Sequence, residues 1–177
     1  MPVTIDGSAN TVTARATESL VQGTSISASG QTSIDFTGIP NWVKRITVMF
    51  QGLSTNGTSP LRIQIGLTTL VTTGYACGAI TYNTNALEGA VVTNGFPVDV
   101  ANAGSSATTA RNGTVTINNL GGNVYVATSV IGFSAGSLIG SNGGGSVTSN
   151  GIIDTLRITT VIGSQTFDAG SVNIMYE

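Results

Sequence analysis

The chain has no histidine, a single cysteine, Cys77, four prolines and very little charge: Lys, Arg, Asp and Glu make up 8% of its residues. Each shortage excludes something. Without histidine the chain cannot itself supply the imidazole base of a Ser-His or Cys-His nucleophilic pair. Nor can it build an ordinary zinc site, which combines several Cys and His ligands. A lone cysteine forms no internal disulfide, so folding does not rely on oxidation. Six Lys or Arg stand against eight Asp or Glu, a formal net charge of -2, and Lys44-Arg45 is the sole adjacent cation pair. Counterion release on a nucleic acid needs clustered cations, so no nucleic-acid partner is expected. Long apolar runs are also missing. No stretch approaches the roughly 18 residues of a membrane helix, and no membrane insertion is expected. The opening "MPVTIDGSANTVTARATESL" has neither the cationic n-region nor the apolar h-region of a secretory signal. Synthesis in a cytoplasm is the expectation.

What is present is Ser, Thr, Asn and Gln, with 24 glycines set among short β-branched apolar runs. A length of 177 residues fits one domain with a real core. The positive mean hydropathy opposes disorder. So few surface charges protect poorly against association, and part of the surface is expected to be covered by partners.

No window sustains an i, i+3, i+4 apolar pattern, so the chain reads as all-β. In "VKRITVMF" Ile46, Val48 and Phe50 share one face, while Val43, Arg45, Thr47 and Met49 share the other, as in a central strand. Further strands are read in "LRIQIG" with Leu61, Ile63 and Ile65 inward, in "TVTIN" with Val115 and Ile117 inward, and in "VYVATSVI" with Val124, Val126 and Val130 inward. In "IIDTLRITTVI" Ile152, Leu156, Ile158 and Ile162 share a parity with Asp154, so the strand proper is expected to begin after Asp154. "SVNIMY" places Val172, Ile174 and Tyr176 together. Asn-Gly pairs at 56-57, 94-95, 112-113, 142-143 and 150-151 read as turns. The expected architecture is an antiparallel β-sandwich, jelly-roll-like, over residues 31-177, preceded by an extended N-terminal attachment arm over residues 1-30. The arm has little apolar content, and its order is expected to come from packing on a neighbouring subunit. "GSLIGSNGGGSVTSNG", residues 136 to 151, reads by composition as a long flexible loop.

Candidate chemistry is sparse. Cys77 in "YACGAIT" reads as a small buried apolar side chain. The acids Asp35, Glu88, Asp99, Asp154 and Asp168 show no spacing that recommends two of them for general acid and base work. No calcium loop and no P-loop is present, and neither enzymatic activity nor a cofactor is expected. Two Asn-x-Thr triplets, at Asn56 and Asn112, read as turns rather than glycosylation sites. Ten aromatics stock a sandwich core with a few left over, and Tyr75 and Tyr82 are the candidates for a surface contact with glycan.

The segments "SIDFTGIPNWVKRITVMFQGLSTNGTSPLRIQIG", residues 33 to 66, and "DTLRITTVIGSQTFDAGSVNIMYE", residues 154 to 177, resemble small structural and tail-fibre-like proteins of tailed bacteriophages. The opening "MPVTIDGS" is similar to fibre-type openings. Residues 67 to 153 match no motif. The resemblance implies a virion structural protein, a tail-fibre or tail-tip component that assembles with itself as a homotrimer or another symmetric oligomer and with other virion proteins, and the neutral Ser/Thr/Asn-rich surface suits outer loops that touch host-surface glycan. A head decoration or cement protein is the alternative, and a carbohydrate-binding module lies outside the virion class. In that setting Trp42, after Pro40, is expected to cover one end of the sandwich where the strand begins. Lys44 and Arg45 point to opposite faces and form no basic patch; an acidic partner such as Asp35 is expected for them.

Overall fold

The structure, a computed structural model, describes residues 3–6, 11–14, 20–83, 85–100, 109–134 and 138–177. Its strands are β1 (Val3–Asp6), β2 (Thr11–Ala14), β3 (Val21–Gln22), β4 (Ile26–Ser27), β5 (Ser33–Thr37), β6 (Arg45–Thr55), β7 (Leu61–Leu67) and β8 (Thr69–Leu70). There follow β9 (Ala76–Tyr82), β10 (Leu87–Val92), β11 (Phe96–Pro97), β12 (Ala110–Gly121), β13 (Val124–Ser134), β14 (Leu138–Thr148), β15 (Thr155–Thr160) and β16 (Phe167–Tyr176). No helix occurs among the described residues. The paired strands run antiparallel throughout, as in β6 with β16 and β12 with β13. One sheet has nine strands in the order β10-β9-β14-β13-β12-β6-β16-β3, with β4 also on β16. The other has five, β11-β7-β15-β5, with β8 on β7. β1 and β2 pair as a hairpin.

The two larger sheets pack as a sandwich because alternate residues on their facing sides are apolar. Ile46, Val48 and Phe50 of β6 meet Leu61, Ile63 and Ile65 of β7 and Leu156 and Ile158 of β15 in one core, all nearly or wholly buried. Val115, Ile117, Val172 and Ile174 join them, so these strands keep the parity expected from their sequence. β15 begins at Thr155, after Asp154, again as expected. Ile152 and Ile162 lie outside it, and Ile162 is exposed.

β13 has the opposite parity to that expected. Tyr125, Ala127, Ser129, Ile131 and Phe133 face inward, and Val130 is 64% exposed. The ladder decides it: Val115 lies opposite Ser129 and Ile117 opposite Ala127, so burying β12's apolar residues carries these partners inward.

The stretch expected as a flexible loop, residues 136 to 151, is mostly strand, with residues 136 and 137 of it outside the described residues. Leu138–Thr148 form β14 inside the nine-stranded sheet, with eleven register partners on β13 and seven on β9. A side chain at Gly144 would bring its Cβ to 2.7 Å from the Ala127 carbonyl oxygen, and one at Gly145 to 2.4 Å from that of Ala76. Glycine here lets two neighbouring backbones close on a third. The Asn-Gly pairs divide accordingly. Those at 56-57, 94-95 and 150-151 bend the chain between strands, whereas Asn142-Gly143 lies in β14 and Asn112-Gly113 in β12. Asn112 sits at a bulge, where its side-chain oxygen accepts from the Gly52 amide at 2.8 Å.

Of the residues assigned to the arm, 21–27 pair with β16 of the same chain, Val21 opposite Tyr176 and Ile26 opposite Val172. The Gly23 amide donates to the Ile174 carbonyl, and Ala28 is fully buried. This stretch covers an edge that β16 would otherwise leave open, so pairing within its own chain orders it. Residues 1, 2, 7–10 and 15–19 of the expected arm lie outside the described residues.

A buried ion pair joins the sheets. Asp99 follows β11, and its Oδ1 accepts from the Leu61 amide of β7 at 2.5 Å. Arg111 of β12 donates from Nε to Asp99 Oδ2 at 2.7 Å, and both side chains are fully buried. The guanidinium lies 5.7 Å from the centre of the Phe133 ring. Removing one partner strands the other's charge in the core, at a cost of about 3–5 kcal/mol. In urea denaturation Arg111→Met and Asp99→Leu are each expected to lose about that much, and the double variant clearly less than their sum. Strictly additive losses would contradict this role.

Candidate interaction face

The outward side of the nine-stranded sheet is a broad surface, and the register gives its rows. One runs Thr47, Thr116, Thr128, Gly144, Gly78, Val91; the next runs Met49, Thr114, Val130, Asn142, Ile80, Gly89. Neither row holds a charge. A shallow open depression lies over Gly78, Ile80, Asn142 and Gly144, because the glycines leave the sheet bare there. Beside it Ile80, Tyr82, Leu87 and Val91 are exposed, Val91 to 83%.

Tyr82 belongs to this face. Its phenol end lies against Gly140, where a Cβ would stand 2.5 Å from the hydroxyl oxygen. The Asn142 carboxamide donates to that oxygen at 3.4 Å. The ring therefore covers a glycine that offers no side chain of its own, and it remains 43% exposed.

Tyr75 does not join it there. It is 2% exposed, its hydroxyl accepts from the Ile65 amide at 3.0 Å and donates to the Val71 carbonyl at 3.1 Å, and its ring meets Phe96 edge-on at 5.1 Å. A buried ring with both hydrogen-bonding functions used offers nothing to a ligand, so the two tyrosines form no shared platform. Burial pushes the Tyr75 phenol up to about 12. Cys77 is buried on the inner side of β9, and burial pushes its thiol up to about 11.

The residues around the start of β6 separate into two places. Asp35 of β5 lies opposite Arg157 of β15 and takes a bidentate contact from it, Nε to Oδ1 at 2.7 Å and Nη2 to Oδ2 at 2.6 Å. That bonding raises the Arg157 pKa. Arg45 pairs instead with the Glu177 carboxylate, so the partner expected in Asp35 is Glu177, which the end of β16 delivers beside β6. Lys44 is exposed, and its amide donates to the Glu177 carbonyl at 2.7 Å. Trp42 is half-buried against the core, its ring 5.9 Å from that of Tyr176.

Asp154 and Asp168 hold structure as well. Asp154 Oδ1 accepts from the Thr68 amide at 2.7 Å, and Asp168 accepts from the Ser54 hydroxyl. Thr68 has φ of 60°, the left-handed region that a threonine avoids. Asn150 holds the other side of the same β7–β8 turn, accepting from the Leu67 amide at 2.8 Å and donating to the Leu67 carbonyl at 3.1 Å. Sequence reasoning missed this clamp. Its signals were Asp154, out of place by parity, and Asn150, read only as a turn residue. No group of three metal-ligating side chains occurs among the described residues.

No family model, curated protein or solved structure matches this chain.

The raised phenol gives a pH prediction. An acid held above its ordinary value in the fold keeps its proton there longer than when unfolded, so Tyr75 stabilises less as pH rises from about 10 towards about 12. Absorbance titration of the phenolates is expected to show Tyr75 ionising only with unfolding, and a Tyr75→Phe variant losing that late step. Cys77 is expected to resist a thiol reagent at pH 8 in the folded protein and to react at once in denaturant. Equal rates in the two states would contradict its placement.

Proposed function

We propose that the protein is a structural component of a phage virion, placed in a tail fibre or at the tail tip, with its broad, sparsely charged outer face turned towards the host surface. The observation that carries this reading is the pairing of the two segments that resemble phage structural proteins. Residues 33 to 66 supply β5, β6 and β7, and residues 154 to 177 supply β15 and β16. β15 lies between β5 and β7, and β6 pairs with β16. Segments far apart in sequence thus form one continuous framework across both sheets. The unmatched residues 67 to 153 supply β9, β10 and β12 to β14, and with them most of the outward face.

Threonine, asparagine and glycine on that face suit hydrogen bonding to neutral sugar hydroxyls, and Tyr82 adds an aromatic surface on which a pyranose ring stacks. The β10 edge, with Leu87 and Val91 exposed, is closed by association with other copies, and a symmetric homotrimer serves that purpose. Other virion proteins complete the partners, and the site of action is the particle.

Gold-labelled antibody against the chain is expected to mark the tail or its fibres on intact particles. Label over the head would make the protein a decoration protein, and particles without label would overturn the virion reading. Native mass spectrometry of the purified chain is expected to give three times the monomer mass.

A further inference from the structure

One cleft lies at the β10 edge of the large sheet, beside the outward face, where β10 approaches β7 and β11 of the small sheet. It holds about 220 Å³ and is walled by Pro60, Val91, Val92, Pro97, Val100 and Val161. Arg62 of β7 lies in its lining. Among the described residues the other arginines are paired, Arg45 with Glu177, Arg111 with Asp99 and Arg157 with Asp35. Arg62 has no such partner. Its Nε is buried and meets no acceptor among the described residues, which leaves a donor of the guanidinium unsatisfied.

The other groups around the cleft do not neutralise it. Asp99 also lines the cleft, but its carboxylate is fully buried and taken by Arg111 and the Leu61 amide. Glu88, the acid of β10, makes no ion pair with Arg62. Residues 101–108, which follow Val100, contain no acid. Desolvation by burial lowers the Arg62 pKa, against a smaller opposing effect of Tyr75. Thr93 and Asn94 complete the lining as its uncharged polar residues.

We infer that this cleft binds a small carboxylate with an apolar body, the guanidinium of Arg62 taking the carboxylate and the proline and valine walls taking the rest. A guanidinium is a forked donor matched to two carboxylate oxygens, and a mainly apolar hollow with a few polar groups is the usual form of a small-molecule site. Nothing in this depends on where the protein sits in a particle.

Benzoate is the probe, with benzamide as its neutral isostere and sodium chloride as the ionic control. In ¹⁵N-labelled protein the arginine Nε–H signals are resolved, and that of Arg62 is assigned as the one absent from Arg62→Lys. Benzoate is expected to move it saturably, together with the Val91 and Val92 methyl signals. Benzamide is expected to bind about tenfold more weakly or worse, the loss of one charged hydrogen-bonded contact. Arg62→Met keeps the stem, removes the charge and is expected to abolish the preference for benzoate. Should that variant not fold, Arg62→Lys is expected to bind benzoate more weakly than the parent but still in preference to benzamide. A wild-type response to benzamide equal to that for benzoate, an equal response to chloride, or no saturable response would overturn the inference.

Discussion

The sheet depends on the backbone ladders of β14. This strand lies between β13 and β9, and in the nine-stranded sheet β9 and β10 reach the other strands through it. Three successive glycines, Gly143, Gly144 and Gly145, contribute no side chain to packing, so the strand is held by hydrogen bonds to both neighbours and by the close approach of their backbones. The same feature leaves the outward face bare over Gly78 and Gly144 and calls for Tyr82 to cover Gly140. One local constraint thus sets the extent of the sheet and the relief of its outer side.

Charge is used within the fold more than on its surface. Arg157 and Asp35 link adjacent strands of the small sheet, Arg45 and Glu177 link β6 to the end of β16, and Arg111 and Asp99 tie one sheet to the other. The two partly exposed pairs contribute little, about 0–1 kcal/mol each. The buried pair matters more for what breaking it would cost than for what it adds over an apolar core. With these acids and cations engaged in the framework, the two outward rows through Thr116 and Thr114 hold threonine, asparagine, glycine and apolar side chains, and Arg45 stands at the β6 end of the next row.

Much of the fold was legible because burial and strand periodicity agree. Ile46, Val48 and Phe50, like Leu61, Ile63 and Ile65, alternate with neighbours that are polar apart from Met49 and Gly66, and a face that must be dry selects such residues. β13 was misread because both of its faces carry apolar residues: alternation cannot choose between Val126 and Tyr125, and only the partner strand does. β14 was misread for a different reason. Glycine and serine are loop residues when the chain must pay the entropy of ordering them, but here two strands supply the ordering contacts. The candidate residues fared similarly. Tyr82 is exposed, whereas Tyr75 disappears into the core, because the parity of β9 and the packing of Phe96 are properties of the assembled sandwich. Arg62 carries no local signal at all; its lack of a partner is visible only once the three other pairs are formed.

Amide hydrogen exchange on the folded protein tests the central role of β14 most directly. Protection at Gly143, Gly144 and Gly145 is expected to match that of Val48 and Val115 in the neighbouring core strands, all opening with the global unfolding of the domain. Exchange of these glycine amides at rates typical of an open loop, with Val48 and Val115 still protected, would contradict the account.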